Sequence, residues 1–492
     1  MSTKAAVIVD VVSIQKYIFQ SNRLKHNIGA SFIVYKMYED PMYEAFKKIS
    51  LEEGKDFTIV YKGGGNALIL FKDKEGAVNF IKEYSLVLME YFPGLIPAFG
   101  MIEDFDDGDT RSSLARLHEV LRANKSKYFP NVNLQHWGIT KDCVETFESA
   151  EVYKDDDFIS KSVLAKEQAS EKAKDQFDRY LGDNRKSYKF PMELSRCSMK
   201  YDPEKQREFN PYVGLVHIDG NRMGERFRSL NSLEEVRNLS DSVKRATEKS
   251  LESMLGRIIE LHKNNHICLK KDDDGKYVIP MRPIVLGGDD ITFVCDAELA
   301  LELTQHFIKT FSKSNVSDNK PLNACAGVFI FKAKYPFYRA YMVVEDLIKE
   351  AKKRSREKEG SYISFAVLSG GFTGDWEHFA RSYYQGIEGN VRFSPYSVDE
   401  LNELFKISYY FKENKDKKWP SSKLHKLKEL LFDKKEKVLN FVKEQEMKFG
   451  LKLPEYEGYE KEIWKEGKTP YFDAIEIIDF LPSSHEVNCH ED

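Results

Sequence analysis

The sequence predicts an α+β protein built from two ferredoxin-like units in tandem, with a helical linker domain between them and a helical C-terminal domain. Three observations carry this. An apolar run ending in an aspartate occurs twice, a glycine-rich hairpin signal follows each run, and strand signals fade beyond Gly371. A repeat fixes the number of units more firmly than local propensity does. At 492 residues the chain is also too long for one ordinary core.

The first copy opens with Ala5-Ala6-Val7-Ile8-Val9-Asp10 and the second with Val213-Gly214-Leu215-Val216-His217-Ile218-Asp219. Continuous apolar runs without a helical period read as buried central strands. Helical sequence follows each, then two apolar runs around a tight turn. In copy one these are Phe57 to Tyr61, Lys62-Gly63-Gly64-Gly65-Asn66 and Ala67 to Phe71; in copy two, Pro283 to Leu286, Gly287-Gly288-Asp289-Asp290 and Ile291 to Val294. An amphipathic helix comes next. In copy two Asp296 is its expected N-cap, and Leu299, Leu303, Phe307 and Phe311 share one face. A further strand, Ile96 to Ile102 or Ala324 to Ile330, leads to a helix that ends in basic residues. The interval from Gly100 to Lys125 equals that from Gly327 to Lys352, at 25 residues. The β-α-β-β-α-β order is that of the ferredoxin-like split fold. The expected boundaries are 1–130 for the first unit, 131–207 for a small polar connecting domain with helical pattern around Ser160 to Leu181, 208–371 for the second unit and 372–492 for the C-terminal helices.

Hydrophobic residues make up 41% and charged residues 31%, a globular composition. No run approaches the roughly 18 apolar residues of a membrane span, and Met1 to Lys4 lead straight into the first strand without a cleavable leader. The chain reads as cytoplasmic. Six scattered cysteines without CxxC spacing argue against a zinc ribbon and against a disulfide framework. A net charge of −4 gives no overall basic field, so any nucleic-acid contact has to come from a local patch.

The second copy carries the chemistry. Asp219 ends one central strand and Asp289 and Asp290 sit in the turn of its expected neighbour. Carboxylates converging on one sheet edge are hard oxygen ligands suited to two Mg²⁺ or Mn²⁺ ions, which activate a ribose hydroxyl and neutralise a leaving pyrophosphate. This is a palm-type nucleotidyl-transfer layout, with Asp219, Asp289 and Asp290 as metal-binding catalytic residues. Gly287 and Gly288 let the backbone approach a nucleotide, and Lys352 is placed to reach a triphosphate. An isolated GGDD is more often a solvated acidic turn; the flanking apolar runs, Asp219 upstream and the basic helix downstream favour the functional reading. Copy one keeps Asp10 but has Gly65-Asn66 where the acids would be, so it is expected to be catalytically silent while Gly63, Gly64, Gly65, Asn66 and Lys125 cradle a second nucleotide. His217 is weighed as a satisfied core histidine, the run 485–492 as a frayed terminus, and Lys412 to Lys418 as a solvated loop.

The stretches Ser13-Ile14-Gln15-Lys16-Tyr17-Ile18-Phe19-Gln20-Ser21, Ile28-Gly29-Ala30-Ser31 and Gly63-Gly64-Gly65-Asn66 resemble the first palm of the large subunit of type III CRISPR effector complexes. His217-Ile218-Asp219-Gly220-Asn221-Arg222-Met223-Gly224 and Gly287-Gly288-Asp289-Asp290 resemble its second palm, and Lys332 to Pro336, Pro395-Tyr396 and Trp419 to Leu424 match the same family. The resemblance implies a synthase that joins ATP through 3′–5′ linkages into cyclic oligoadenylate messengers in antiviral defence. It implies one nucleotide on each palm, with Gly220, Asn221 and Gly224 among the contacts, and effector subunits, guide RNA and target RNA as partners. None of the eleven histidines is followed by Asp, so the HD nuclease of many members is missing and no DNase activity is expected. Two other functions compete. One is a silent scaffold subunit, which has no need of three converging acids; the other is a diguanylate-cyclase-like enzyme, which builds its site from two separate copies rather than a tandem.

Overall fold

The computed structural model describes residues 4–63, 65–127, 139–200, 210–371, 374–413, 419–457, 459 and 462–483. Strand β1 (Lys4–Val11) lies at the centre of a four-stranded antiparallel sheet with β2 (Phe57–Gly63), β3 (Asn66–Phe71) and β4 (Pro97–Phe105), in the order β2-β3-β1-β4. Its run Ala5 to Val9 is fully buried, as expected of a strand covered on both faces.

A second sheet repeats the plan. It contains β5 (Tyr212–Gly220), β6 (Met281–Gly287), β7 (Asp290–Asp296), β8 (Ala324–Lys332), β9 (Tyr362–Val367) and β10 (Tyr396–Ser397), in the order β6-β7-β5-β8-β9-β10. Its first four strands match the order of the first sheet. The registers match too, for Asp10 faces Asn66 across β1 and β3, and Asp219 faces Asp290 across β5 and β7. Strand β9 then adds in parallel to β8, and β10, from beyond residue 372, closes the edge.

Helix α1 (Leu24–Lys36) and helix α2 (Lys74–Tyr91) belong to the first unit, which ends in α3 (Thr110–Lys127). Between the units, α4 (Lys161–Lys172) is capped by Ser160, whose hydroxyl accepts from the Val163 amide. The second unit contains α5 (Leu233–Lys263), α6 (Ala300–Ser312) and α7 (Phe337–Glu357). Leu299, Leu303, Phe307 and Phe311 are buried as their spacing predicts, each contributing about 1.5–3 kcal/mol if fully desolvated. The expected N-cap role of Asp296 does not hold. Helix α6 starts at Ala300, and Asp296 instead accepts from the amides of Glu298 and Met199, both at 2.8 Å, which ties the connecting segment to the sheet.

Two glycines at matching positions explain why α3 and α7 can lie on their sheets. A Cβ on Gly100 would stand 2.8 Å from the Leu117 carbonyl oxygen, and one on Gly327 would stand 2.4 Å from that of Val344. Both approaches need a residue without a side chain. The connecting segment packs as closely, since a Cβ on Gly29 would meet the Lys166 carbonyl oxygen at 1.8 Å. Buried Arg282 donates to the carbonyls of Ala173 and Lys174 and so stitches the same segment to β6. Cys143, Cys197, Cys295 and Cys325 are buried free thiols, and Cys268 is disulfide-bonded. Beyond residue 374 the described residues are mainly helical, with helices at Val398–Glu413, Ser421–Leu430, Lys435–Phe449 and Pro470–Glu476. Among the described residues no helix is long and apolar enough to cross a membrane.

Candidate functional site

The β6–β7 hairpin pairs Gly287 with Asp290 and leaves Gly288 and Asp289 at its tip. Gly288 has φ +48°, in the left-handed region that glycine occupies without strain, and its carbonyl accepts from the Thr247 hydroxyl of α5 at 2.7 Å. The tip is therefore fixed by its own backbone and by a bond from the long helix. Asp289 leans toward β5, and a Cβ on Gly220 would sit 2.7 Å from its Oδ2. The absence of a side chain at Gly220 is what admits the carboxylate. Because Asp290 and Asp219 are register partners, the three acids gather around the end of two adjacent strands.

Their electrostatics follow from that crowding. Burial, and then the nearby charge of Asp219, pushes the Asp289 carboxyl up to about 7. Burial, followed by the charges of Asp289 and Asp219, raises Asp290 well above the usual carboxylate range. Lys352, on α7, forms an ion pair with Asp219. Among the described residues no three acidic, histidine or cysteine side chains are gathered closely enough to hold a metal ion as they stand. The donor set is nevertheless chemically right for a hard divalent cation, since two of the acids are disfavoured as anions until positive charge arrives.

Copy one has the same frame with different chemistry. Gly63 pairs with Asn66, and the Tyr38 hydroxyl donates to the Gly65 carbonyl at 2.6 Å. Lys125 pairs with Asp10 at 2.5 Å, the counterpart of Lys352 with Asp219. Gly64 lies outside the described residues, as do the tail 485–492 and Lys415, Lys417 and Lys418.

A cavity of about 1450 Å³ opens between the two hairpins, lined by Gly63, Asn66 and Lys125 from the first unit and by Gly224, Gly288 and Asp289 from the second. It exceeds the roughly 300–1,000 Å³ of a site for one small ligand. Gly65, Gly220, Gly287, Asp219, Asp290 and Lys352 are not on its wall. Asn221 is committed elsewhere, with its amide nitrogen donating to the Ser355 hydroxyl and the Gly360 carbonyl at 2.9 and 3.0 Å. His217 is buried and bonded through Nδ1 to the Thr292 hydroxyl at 2.8 Å, a satisfied core histidine.

The cavity has a basic wall that the sequence reading missed, comprising Lys62, Arg111, Arg122, Arg228, Arg237 and Lys244. One signal was available, because Arg111, His118, Arg122 and Lys125 recur at helical spacing along one side of α3. Arg237 also joins the two units, donating to the carbonyls of Val60 and Ile59 on the edge strand β2 at 2.9 and 3.1 Å.

Residues 212–361 match the family model described as Cas10/Cmr2, second palm domain. No curated protein sequence matches the chain. Among solved structures, a Csm1–Csm4 cassette in complex with AMPPNP is 16% identical, with a TM-score of 0.58 over 97% of this chain and 69% of that one. A Csm1–Csm4 cassette in complex with cA4 is 15% identical, with a TM-score of 0.58 over 97% and 70%. Csm1 from T. onnurineus is 14% identical, with a TM-score of 0.59 over 98% and 70%. At these identities the likeness is one of fold, and it extends over nearly the whole chain. Residues 212–361 are thus similar to the second palm domain of Cas10/Cmr2, in a chain that has the fold of Csm1.

Proposed function

We propose that the chain is a tandem-palm nucleotidyltransferase that condenses ATP into cyclic oligoadenylates by attack of a 3′ hydroxyl on an α-phosphate, with the first palm presenting a nucleotide and the second carrying the chemistry. One observation carries this reading: Asp219 and Asp290 face each other across adjacent strands while Asp289 lines a cavity that Gly63 and Asn66 of the first unit's hairpin also line. The solved Csm1–Csm4 cassettes in complex with AMPPNP and with cA4 support it.

Asp219, Asp289 and Asp290 would hold Mg²⁺ or Mn²⁺, which when bound supplies activation of the hydroxyl and neutralisation of the leaving pyrophosphate. The protein's own residues do the rest. Gly288 and Gly63 add no side chain to the cavity wall, the arginines and lysines of that wall attract polyphosphate, and Lys352, paired with Asp219, would hold that carboxylate's charge until a cation took its place. We place the protein with other effector subunits, guide RNA and target RNA, and expect no DNase activity.

A silent scaffold is favoured by one observation, the engagement of Asp219 by Lys352. Incubation of the purified chain with each NTP and Mg²⁺ or Mn²⁺, with and without RNA, followed by mass spectrometry of the products, separates the two. Products that form from ATP and vanish in the Asp289→Asn, Asp290→Asn double variant support the enzyme. No product under any activating condition supports the scaffold.

A further inference from the structure

The short helix Ile14–Phe19, which follows β1, runs from the first hairpin to α7 of the second unit. At its start, Ile14 Cδ1 lies 3.1 Å from where a Cβ on Gly65 would be, against the first hairpin. At its end, buried Phe19 stacks on Tyr341 of α7, with ring centroids 3.8 Å apart and planes 14° from parallel. Connecting helix α4 clamps it from behind, since the buried Lys166 ammonium donates to the Tyr17 carbonyl at 2.8 Å and lies over the Tyr17 ring at 4.2 Å.

From Tyr341 a chain of polar contacts runs to the acids. Its hydroxyl donates to Glu345 Oε1 at 2.6 Å, and the same oxygen lies 3.7 Å from His217 Nε2. His217 bonds Thr292, and these two residues pair across β5 and β7 two positions from Asp219 and Asp290. Lys352 lies three turns further along α7, so a shift of that helix is felt at both ends of the acid cluster.

The arrangement is reciprocal. The corresponding helix of the second unit, Met223–Arg228, abuts α3 of the first unit, where Arg111 Nε donates to the Arg228 carbonyl at 2.9 Å. Each unit's short helix therefore braces the helix that bears the other unit's aspartate-paired lysine.

We propose that Phe19 and Tyr341, backed by Glu345 and His217, are positioning residues that couple nucleotide occupancy at the first hairpin to the geometry of Asp219 and Asp290. The inference rests on the two-nucleotide reading given above. Two rigid contacts in series, a face-to-face ring stack and a short hydrogen bond, transmit a displacement that a loose apolar contact would absorb.

The test is calorimetric binding of AMPPNP with Mn²⁺ to the full chain, to Tyr341→Phe and to Phe19→Leu, with melting temperatures in parallel. In the wild type, occupancy of one site is expected to raise affinity at the other about tenfold, within the usual range of coupling between sites. Tyr341→Phe keeps the stacked ring and loses only the bond to Glu345. It is expected to melt with the wild type and bind two analogues independently, which a merely structural role for the hydroxyl would not produce. Phe19→Leu is expected to lose coupling together with some stability. Two uncoupled sites in the wild type, or wild-type coupling in Tyr341→Phe, overturn this inference alone. A wild-type chain that binds fewer than two analogues overturns it together with the proposed function.

Discussion

Asp289 and Asp290 are held where a carboxylate is unwelcome, and this has a measurable consequence. Burial and the charge of Asp219 raise Asp289 from an ordinary value of 3.8 to about 7. Between those values Asp289 has released its proton in the unfolded chain and kept it in the folded one, so the contribution of this group to stability is greatest at low pH and is lost as pH rises through that window. In EDTA the melting temperature is expected to decline from pH 4 to 7 by more in the wild type than in Asp289→Asn, and Mn²⁺ is expected to remove most of the difference. Identical profiles with and without metal would show that no ion settles among these acids. On the proposed function activity moves the other way from stability, because Asp290→Asn removes a buried acid and with it a proposed metal ligand. That variant is expected to melt at or above the wild type in EDTA and to lose at least about a hundredfold in turnover, an effect of about 2.7 kcal/mol or more. At this scale the sequence was most legible. Strand-ending Asp219 and the GGDD turn meet as their positions predict, because register on a buried sheet is strongly specified. The use of Asn221 was not legible, because its partners Ser355 and Gly360 lie more than a hundred residues away in the chain.

Among the elements, α3 and α7 have the most to do, since each covers a sheet and delivers a lysine to an aspartate. The equal spacing of Gly100 from Lys125 and Gly327 from Lys352 is now intelligible. The glycine sets how closely the helix lies and the number of turns beyond it sets where the lysine arrives. Gly327→Ala places a methyl group 2.4 Å from the Val344 carbonyl oxygen, and overpacking of this kind costs about 1–3 kcal/mol. It is expected to lower the melting temperature by several degrees and to reduce turnover as well, since α7 has to move and carries Lys352 with it. Gly100→Ala, at 2.8 Å from Leu117, is expected to destabilise less. Denaturant melts of both variants, set beside their turnover, check the link; lost stability with untouched turnover in Gly327→Ala would break it. Other elements were not readable in advance. Strand β10 has only two residues and so shows no period, and Asp296 looks like a helix cap until its bond to the distant Met199 amide is seen. The basic side of α3 has a period, but one that reads equally well as a solvated helix face.

For the molecule as a whole, the question is what a second copy of the fold contributes without the hairpin acids. The first unit keeps the frame in full, with the same strand order, the same hairpin register, the same glycine under its last helix and the same lysine-aspartate pair. It differs at the proposed metal position, since Asn66 stands opposite Asp10 where Asp290 stands opposite Asp219. A neutral amide beside one lysine-paired carboxylate has neither the charge nor the ligand count for a divalent ion. Its hairpin still forms one wall of the shared cavity, and Arg237 fastens the edge of its sheet to the second unit. Asp10→Asn is therefore expected to free Lys125 and change ATP use by no more than a few-fold, whereas Asp219→Asn should abolish product formation and Mn²⁺ binding together. Arg237→Ala removes both a fastening and a cavity cation, and is expected to raise the ATP requirement while leaving Mn²⁺ binding at the acids intact. Turnover and Mn²⁺ titrations on the three variants decide the matter. Equal losses at Asp10 and Asp219 would mean that both units carry chemistry, and that the Asn66 position does not silence the first.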